Sequence, residues 1–183
     1  MNDHCLTRKT KLDQLQYPFR AGFFGTVLFG ALTILSSCQS VPLKGGVNDQ
    51  GEKVYLTPAD EIPKAIDTFS KIQDLTNEES KINYLIQRVQ KSKFPFVRNG
   101  ASYTSAEAAE FLRWKLNRPR WRPLVNTAED FVNVITKGSV TSGLPYAIVF
   151  PNGERRELKA ILTNELDFLN QRLSEKSGSA PKQ

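Results

Sequence analysis

Ile82, Leu85, Ile86 and Val89 recur at i, i+3, i+4 and i+7, the spacing of one face of an α-helix. Thr76-Asn77-Glu78-Glu79, just before them, is spelled as a capping box and predicts where that helix opens. Residues 94–98 (FPFVR) read as a short strand, with Pro95 suited to an edge or first position, and Asn99-Gly100 supplies a turn. Thr104-Ser105-Ala106-Glu107 is a second capping box, opening a helix that ends near Asn117 before Pro119. Thr127-Ala128-Glu129-Asp130 opens a third helix, with Phe131, Val132 and Ile135 apolar and Gly138 as its stop. After a turn at Ser142-Gly143 and Pro145, residues 146–150 (YAIVF) form the strongest strand pattern. Pro151-Asn152-Gly153 then turns the chain into residues 154–157 as a hairpin. Residues 158–173 make the last helix. The order α-β-α-α-β-β-α predicts an α+β fold, a mainly antiparallel sheet of about three strands packed with about four helices.

Flanking this core, residues 38–75 are turn-rich and interrupted by Pro42, Pro58 and Pro63. They read as an anchor and flexible tether, with a short ordered piece at 54–56 and a helical turn over 65–72. Residues 174–183 read as a disordered tail. One folded domain, 76–173, is therefore expected; about one hundred residues can build one small core.

The N-terminus has a different pattern. Residues 1–20 carry Arg8, Lys9, Lys11 and Arg20 against Asp3 and Asp13, and residues 21–35 are an uncharged, mostly apolar run. As a helix that run would span roughly 22 Å, short of the ~30 Å of a bilayer core, which fits a secretory signal. Leu35-Ser36-Ser37-Cys38 resembles the lipobox of bacterial lipoproteins. The resemblance implies that residues 1–37 are removed and that Cys38 carries lipid on its sulfur and amine. Gln39 after the cysteine implies the outer membrane, facing the periplasm, rather than the inner one.

Charge raises one further ligand class. Arg113-Trp114-Lys115-Leu116-Asn117-Arg118-Pro119-Arg120-Trp121-Arg122 holds five cationic residues, two tryptophans and no acid. Alone, it would suit phosphates and stacked bases. A chain tethered outside the cytoplasm rarely meets nucleic acid, so lipid head groups are the expected phosphates. From Cys38 onward there are 21 basic and 17 acidic residues, an ordinary net +4. That part contains no histidine and no cysteine besides Cys38. Imidazole-dependent nucleophile systems, the usual zinc sites and internal disulfides are thereby excluded, and no metal or cofactor is expected.

Individual side chains carry the remaining expectations. Lys115 falls near the middle of the apolar stripe of Ala108, Leu112 and Leu116, and Glu165 sits among Leu158, Ile161, Leu162, Leu166 and Leu169. A buried Lys115–Glu165 ion pair would resolve both oddities; otherwise both tips reach water at the domain edge. In residues 136–143 (TKGSVTSG), Ser139 or Ser142 with Lys137 or Lys115 could form a Ser-Lys hydrolase site, against a plain hydroxyl-stabilised turn. Glu129 and Asp130 are explained by helix capping. Arg98, Asn99, Gly100 and Tyr103 are a candidate pocket. Arg113, Trp114, Arg118, Arg120, Trp121 and Arg122 are a candidate binding patch, with Pro119 and Pro123 expected to hold 118–122 extended. Trp favours the head-group region of a membrane, and each Arg near an anionic surface contributes about 1 kcal/mol.

Several short pieces resemble the YfeK-like family, small bacterial envelope proteins with a domain of unknown function. They are Phe96-Val97-Arg98-Asn99-Gly100 with Tyr103; Glu107-Ala108-Ala109 with Lys115; and Thr127-Ala128-Glu129-Asp130-Phe131. Ser139, Ser142-Gly143, Tyr146 and Asn152-Gly153 continue the series, so that the likeness spans about residues 82–169. It implies secretion and a compact α+β domain, and brings no known activity. Some members carry cysteines where this chain has Phe94 and Phe150, which implies that these two aromatics touch. The lipobox and the Arg/Trp-rich segment are departures from the family pattern. The expectation is a lipid-anchored, non-catalytic module that binds anionic envelope lipid, glycan or protein. The alternative is the Ser-Lys hydrolase.

Overall fold

The computed structural model describes residues 41–178; residues 1–40, with the expected signal segment and Cys38, and residues 179–183 lie outside them. The fold is α+β, with five strands and five helices among the described residues. The strands are β1 (Leu43–Lys44), β2 (Phe96–Arg98), β3 (Ala101–Tyr103), β4 (Ala147–Val149) and β5 (Arg155–Glu157). The helices are α1 (Ile62–Ser70), α2 (Glu78–Lys91), α3 (Ser105–Leu116), the single turn α4 (Ala128–Asp130) and α5 (Leu158–Gly178). The sheet order is β1-β5-β4-β2-β3. β1 runs parallel to β5 and the other pairs are antiparallel, so the sheet is mixed and two strands larger than expected.

Local chemistry explains the helix starts. Thr104 accepts from the Glu107 N–H while the Glu107 carboxylate accepts from the Thr104 N–H, and Thr127 with Asp130 repeats the arrangement. In α2 the cap is Asn77 rather than Thr76. Asn77 accepts from the Glu79 N–H, and the Thr76 hydroxyl instead donates to Asp74. Past α4 the chain widens into a π-helical stretch, Phe131–Ile135, which buries Phe131, Val132 and Ile135. Asn99 (φ 53°) and Gly100 (φ 80°) form the β2–β3 turn, both at the positive φ that this pair tolerates.

Register brings β2 against β4, with Phe96 opposite Ile148 and Val97 opposite Ala147. Continued outward, it places Phe94 opposite Phe150, and their ring centroids lie 5.0 Å apart, as the family resemblance implied. The same face carries Phe96 and Ile148, both buried. The core beneath collects Leu85, Ile86, Leu112, Phe131, Ile161, Leu162 and Leu169.

Residues 43–75 are not a free tether. Leu56, Ile62 and Ile66 are fully buried in the common core. Polar side chains fasten the rest. The buried Arg156 guanidinium donates to the Gly45 and Val47 carbonyls, and Asn164 donates to those of Gly46 and Val54. Glu165 accepts from the Leu56 N–H at 2.8 Å, and its carboxylate is held by Arg88 at 2.9 and 3.1 Å. Arg88 also donates to the Thr57 hydroxyl. At the other end, α5 runs on to Gly178, so residues 174–178 are helical rather than disordered.

The expected Lys115–Glu165 pair is therefore absent. Both side chains are buried, as their helix phases required, yet neither reaches water and each has a different partner. Arg88, on the flank of the α2 stripe, is the cation that Glu165 uses.

Glu165→Gln should leave the Arg88 charge buried without its counter-ion, at a cost of about 3–5 kcal/mol in urea unfolding. The Arg88→Met/Glu165→Leu double variant should recover a large part of that loss. A cost under about 1 kcal/mol for Glu165→Gln would refute the pinning role.

Candidate functional site

α3, the β2–β3 hairpin and the loop leading to β4 meet at one corner. There, cationic and aromatic side chains alternate. Arg118 lies over the Trp114 ring at 4.5 Å, and Trp114 stacks on Phe111 at 5.6 Å. Arg98 covers Phe111 at 4.1 Å, and Phe111 meets Tyr146 edge-on at 5.7 Å. The Lys115 ammonium then sits 4.9 Å from the Tyr146 ring and 5.1 Å from Trp121, and Arg120 closes the series 5.0 Å from Trp121. Each cation–ring contact satisfies the roughly 6 Å limit for attraction between a cation and a ring quadrupole.

Lys115 is the centre of this ladder. Its three donors go to the Ile135 carbonyl at 2.7 Å, the Gly138 carbonyl at 3.0 Å and the Tyr146 hydroxyl at 3.3 Å. The Ile135 carbonyl ends the widened helix and that of Gly138 lies just beyond it, so the ammonium serves as its C-terminal cap. Burial, joined by the neighbouring Arg98 guanidinium, lowers the Lys115 pKa to about 8. Burial also raises Tyr146, with Arg98 acting in the opposite direction.

The two groups of sequence candidates thus share one corner. Asn99 accepts from the Ser142 hydroxyl at 2.7 Å, joining the hairpin turn to the 139–144 loop. The Ser142 oxygen also accepts from the Leu144 N–H, and the Gly143 N–H donates to the Ser139 carbonyl. Gly138 has a packing reason: a Cβ there would lie 2.5 Å from the Leu144 carbonyl oxygen. Ser139 is buried, and all three Lys115 donors are engaged elsewhere than on a serine.

The Arg/Trp segment divides. Residues 118–122 are turned, not extended, because the Trp121 and Arg122 N–H groups both donate to the Arg118 carbonyl. Pro119 suits the second position of that turn and Pro123 the following 3-10 turn, Arg122–Leu124. Trp114 is 52% exposed, whereas Trp121 is half-buried against the core. Arg113 donates to Gln90, and Arg122 to the Val125 carbonyl.

Between the hairpin and α3 lies a mostly apolar cleft of about 330 Å³. Phe96, Arg98, Tyr103, Phe111, Trp114 and Tyr146 line it. Sequence reading named Arg98, Tyr103, Trp114 and Tyr146 but missed Phe111, which takes part in three ladder contacts. Its signal was present, since Phe111 neighbours the α3 stripe and lies one turn before Lys115. Among the described residues no group of three His, Cys, Asp or Glu side chains gathers to hold a metal ion.

Residues 76–170, just over half of the chain, match the model of a family described as "Family of unknown function (DUF5329)". The chain belongs to this family. It is also 38% identical over 71 residues to "Uncharacterized protein YfeK" of Salmonella typhimurium (strain LT2). That match covers 38% of this chain and 58% of the relative, so the chain spans little more than half the length of the curated protein it matches. No solved structure matches the chain. The family resemblance read from the short motifs is thus established. All nine candidate residues from Arg98 to Tyr146 fall inside the matched segment, as do Arg113 to Arg122.

A lysine whose folded pKa lies near 8, below its ordinary 10.5, binds fewer protons in the folded state between those values. Stability must then rise with pH in that window. Raising pH from 8 to 9.5 should stabilise the protein by about 1–2 kcal/mol in urea unfolding. Lys115→Met should abolish the rise and, by orphaning two carbonyls, cost about 1–3 kcal/mol at pH 7. A wild-type profile that is flat or falling from pH 8 to 9.5 would count against the assignment.

Proposed function

We propose that this chain is a lipid-anchored protein of the bacterial envelope, held by an acylated Cys38, whose α+β module binds an anionic surface without catalysing a reaction. Anionic lipid of the outer membrane, met from the periplasm, is the surface we favour over glycan or protein. One observation carries the reading: the half-exposed Trp114 ring, with the exposed Arg118 guanidinium stacked over it at 4.5 Å. An amphipathic ring and a weakly hydrated cation held together suit the boundary between head groups and acyl chains. Leu124, also about half exposed, lies on the same segment and adds apolar surface. The short apolar run before Leu35-Ser36-Ser37-Cys38 supports the anchor. No helix among the described residues is long and apolar enough to cross a membrane.

The hydrolase alternative lacks a comparable support. Its general base would need a neutral lysine nitrogen accepting from the Ser139 or Ser142 hydroxyl; Lys115 instead donates to two carbonyls and a tyrosine, and among the described residues Lys137 has no hydrogen bond to either serine.

Cys38→Ser should abolish fatty-acid labelling and release the chain from the membrane fraction; labelling that persists would refute the anchor. For the surface, the full-length Trp121→Phe chain keeps Trp114 as its one tryptophan. In vesicles containing anionic lipid, Trp114 emission should shift to the blue and resist acrylamide. Both effects should fade as salt shortens the screening length from about 10 Å at 0.1 M to about 3 Å at 1 M. Identical quenching in neutral and anionic vesicles would overturn the lipid reading.

A further inference from the structure

Lys115 and Trp121 border a second, larger cavity, about 770 Å³, between the 138–145 loop and the start of α5. Its charged lining is Lys115, Lys137 and Lys159 against one acid, Glu157. The ammonium groups of Lys137 and Lys159 and the Glu157 carboxylate have no hydrogen bond or ion pair among the described residues. Lys115 differs, since its donors are occupied; it supplies positive field rather than a hydrogen bond. The opposite character comes from Trp121, Val134 and Pro145, which give the cavity an apolar wall.

We propose that this cavity is a binding site for a phosphate monoester carried on an apolar or ring-bearing body. Charge selects the head. Three ammonium groups against one carboxylate leave an excess of two positive charges, and a monoester at pH 7 carries about −1.5 to −2. A carboxylate or a phosphodiester brings only one. Lysines act as compact, mobile point charges on phosphate, whereas a site built for carboxylate favours the arginine fork, and no arginine lines this cavity. The volume far exceeds one phosphate group, and the wall of Trp121, Val134 and Pro145 is where the attached body would pack. The monoester can be a lipid head group or a soluble phosphate ester, since both present the same dianion. The inference does not depend on the membrane reading, because the two sites are reported by different tryptophans.

The test uses the full-length Trp114→Phe chain in neutral detergent, with Trp121 as the one emitter. Phenyl phosphate and micelle-doped short-chain phosphatidic acid are titrated separately, beside short-chain phosphatidylglycerol as a singly charged diester. A saturable change in Trp121 emission is expected with at least one monoester. It should be about tenfold weaker when Lys137→Gln and Lys159→Gln are combined, and weaker as pH falls through about 6, where the dianion takes up a proton. A response to phosphatidic acid alone identifies a lipid source, and a response to phenyl phosphate identifies a soluble ester. Silence with both monoesters, equal response to the diester, or an unchanged response in the double variant would each overturn the proposal.

Discussion

The buried Glu165 carboxylate organises the fold. It accepts from the Leu56 backbone N–H and from two nitrogens of Arg88, so one side chain on α5 joins α2 to a segment more than one hundred residues earlier. Desolvating two charges costs several kcal/mol, which is repaid only when the remaining donors and acceptors are also met. Here Thr57 takes an Arg88 donor and Leu56 supplies Glu165 with a third bond. Asn164, the preceding residue, and Arg156 on β5 bind the carbonyls of Gly45, Gly46, Val47 and Val54. The N-terminal segment is held through its backbone, and its composition is consequently free to be turn-like.

That explains what was legible in the sequence and what was not. α2, α3 and the β4–β5 hairpin announced themselves through period, caps and turn residues. The 43–57 segment did not, because its fixing groups are polar side chains distant along the chain, and hydrophobic periodicity is blind to them. β3 was too short to register: three exposed residues between a turn and a cap leave no alternation to read. Lys115 and Glu165 were correctly marked as misfits on apolar stripes. Their partners were beyond reach, since a stripe gives the phase of one helix but not which neighbour crosses it. For Lys115 those partners are backbone carbonyls, which no side-chain pattern encodes.

The same limit applied to the Arg/Trp segment. Proline was taken to mean extension, yet Pro119 at the second position of a turn tightens the chain and sends the two tryptophans to different cavities. Sequence proximity made one patch; the fold makes a ladder with two ends. One end, Trp114 with Arg118, is open. The other, Trp121 with Lys115 and Arg120, is half-closed against the core.

The position of Lys115 follows from the helix that it caps. A π-helical turn widens the backbone, and the carbonyls of Ile135 at its end and of Gly138 just beyond it have no helical N–H partner. A buried carbonyl without a donor is as unfavourable as a lost hydrogen bond, and two side by side also concentrate negative potential. An ammonium has three donors on one compact centre, and with the Tyr146 hydroxyl it meets three acceptors there. An arginine would spread its donors over a planar fork too wide for that convergence, and a methionine would meet none of them. The aromatic rings of Tyr146 and Trp121 offset part of what solvent no longer provides. The Lys115 cation is therefore first a consequence of how the π-helical stretch ends, and the field it casts into the cavity it lines follows from that structural duty.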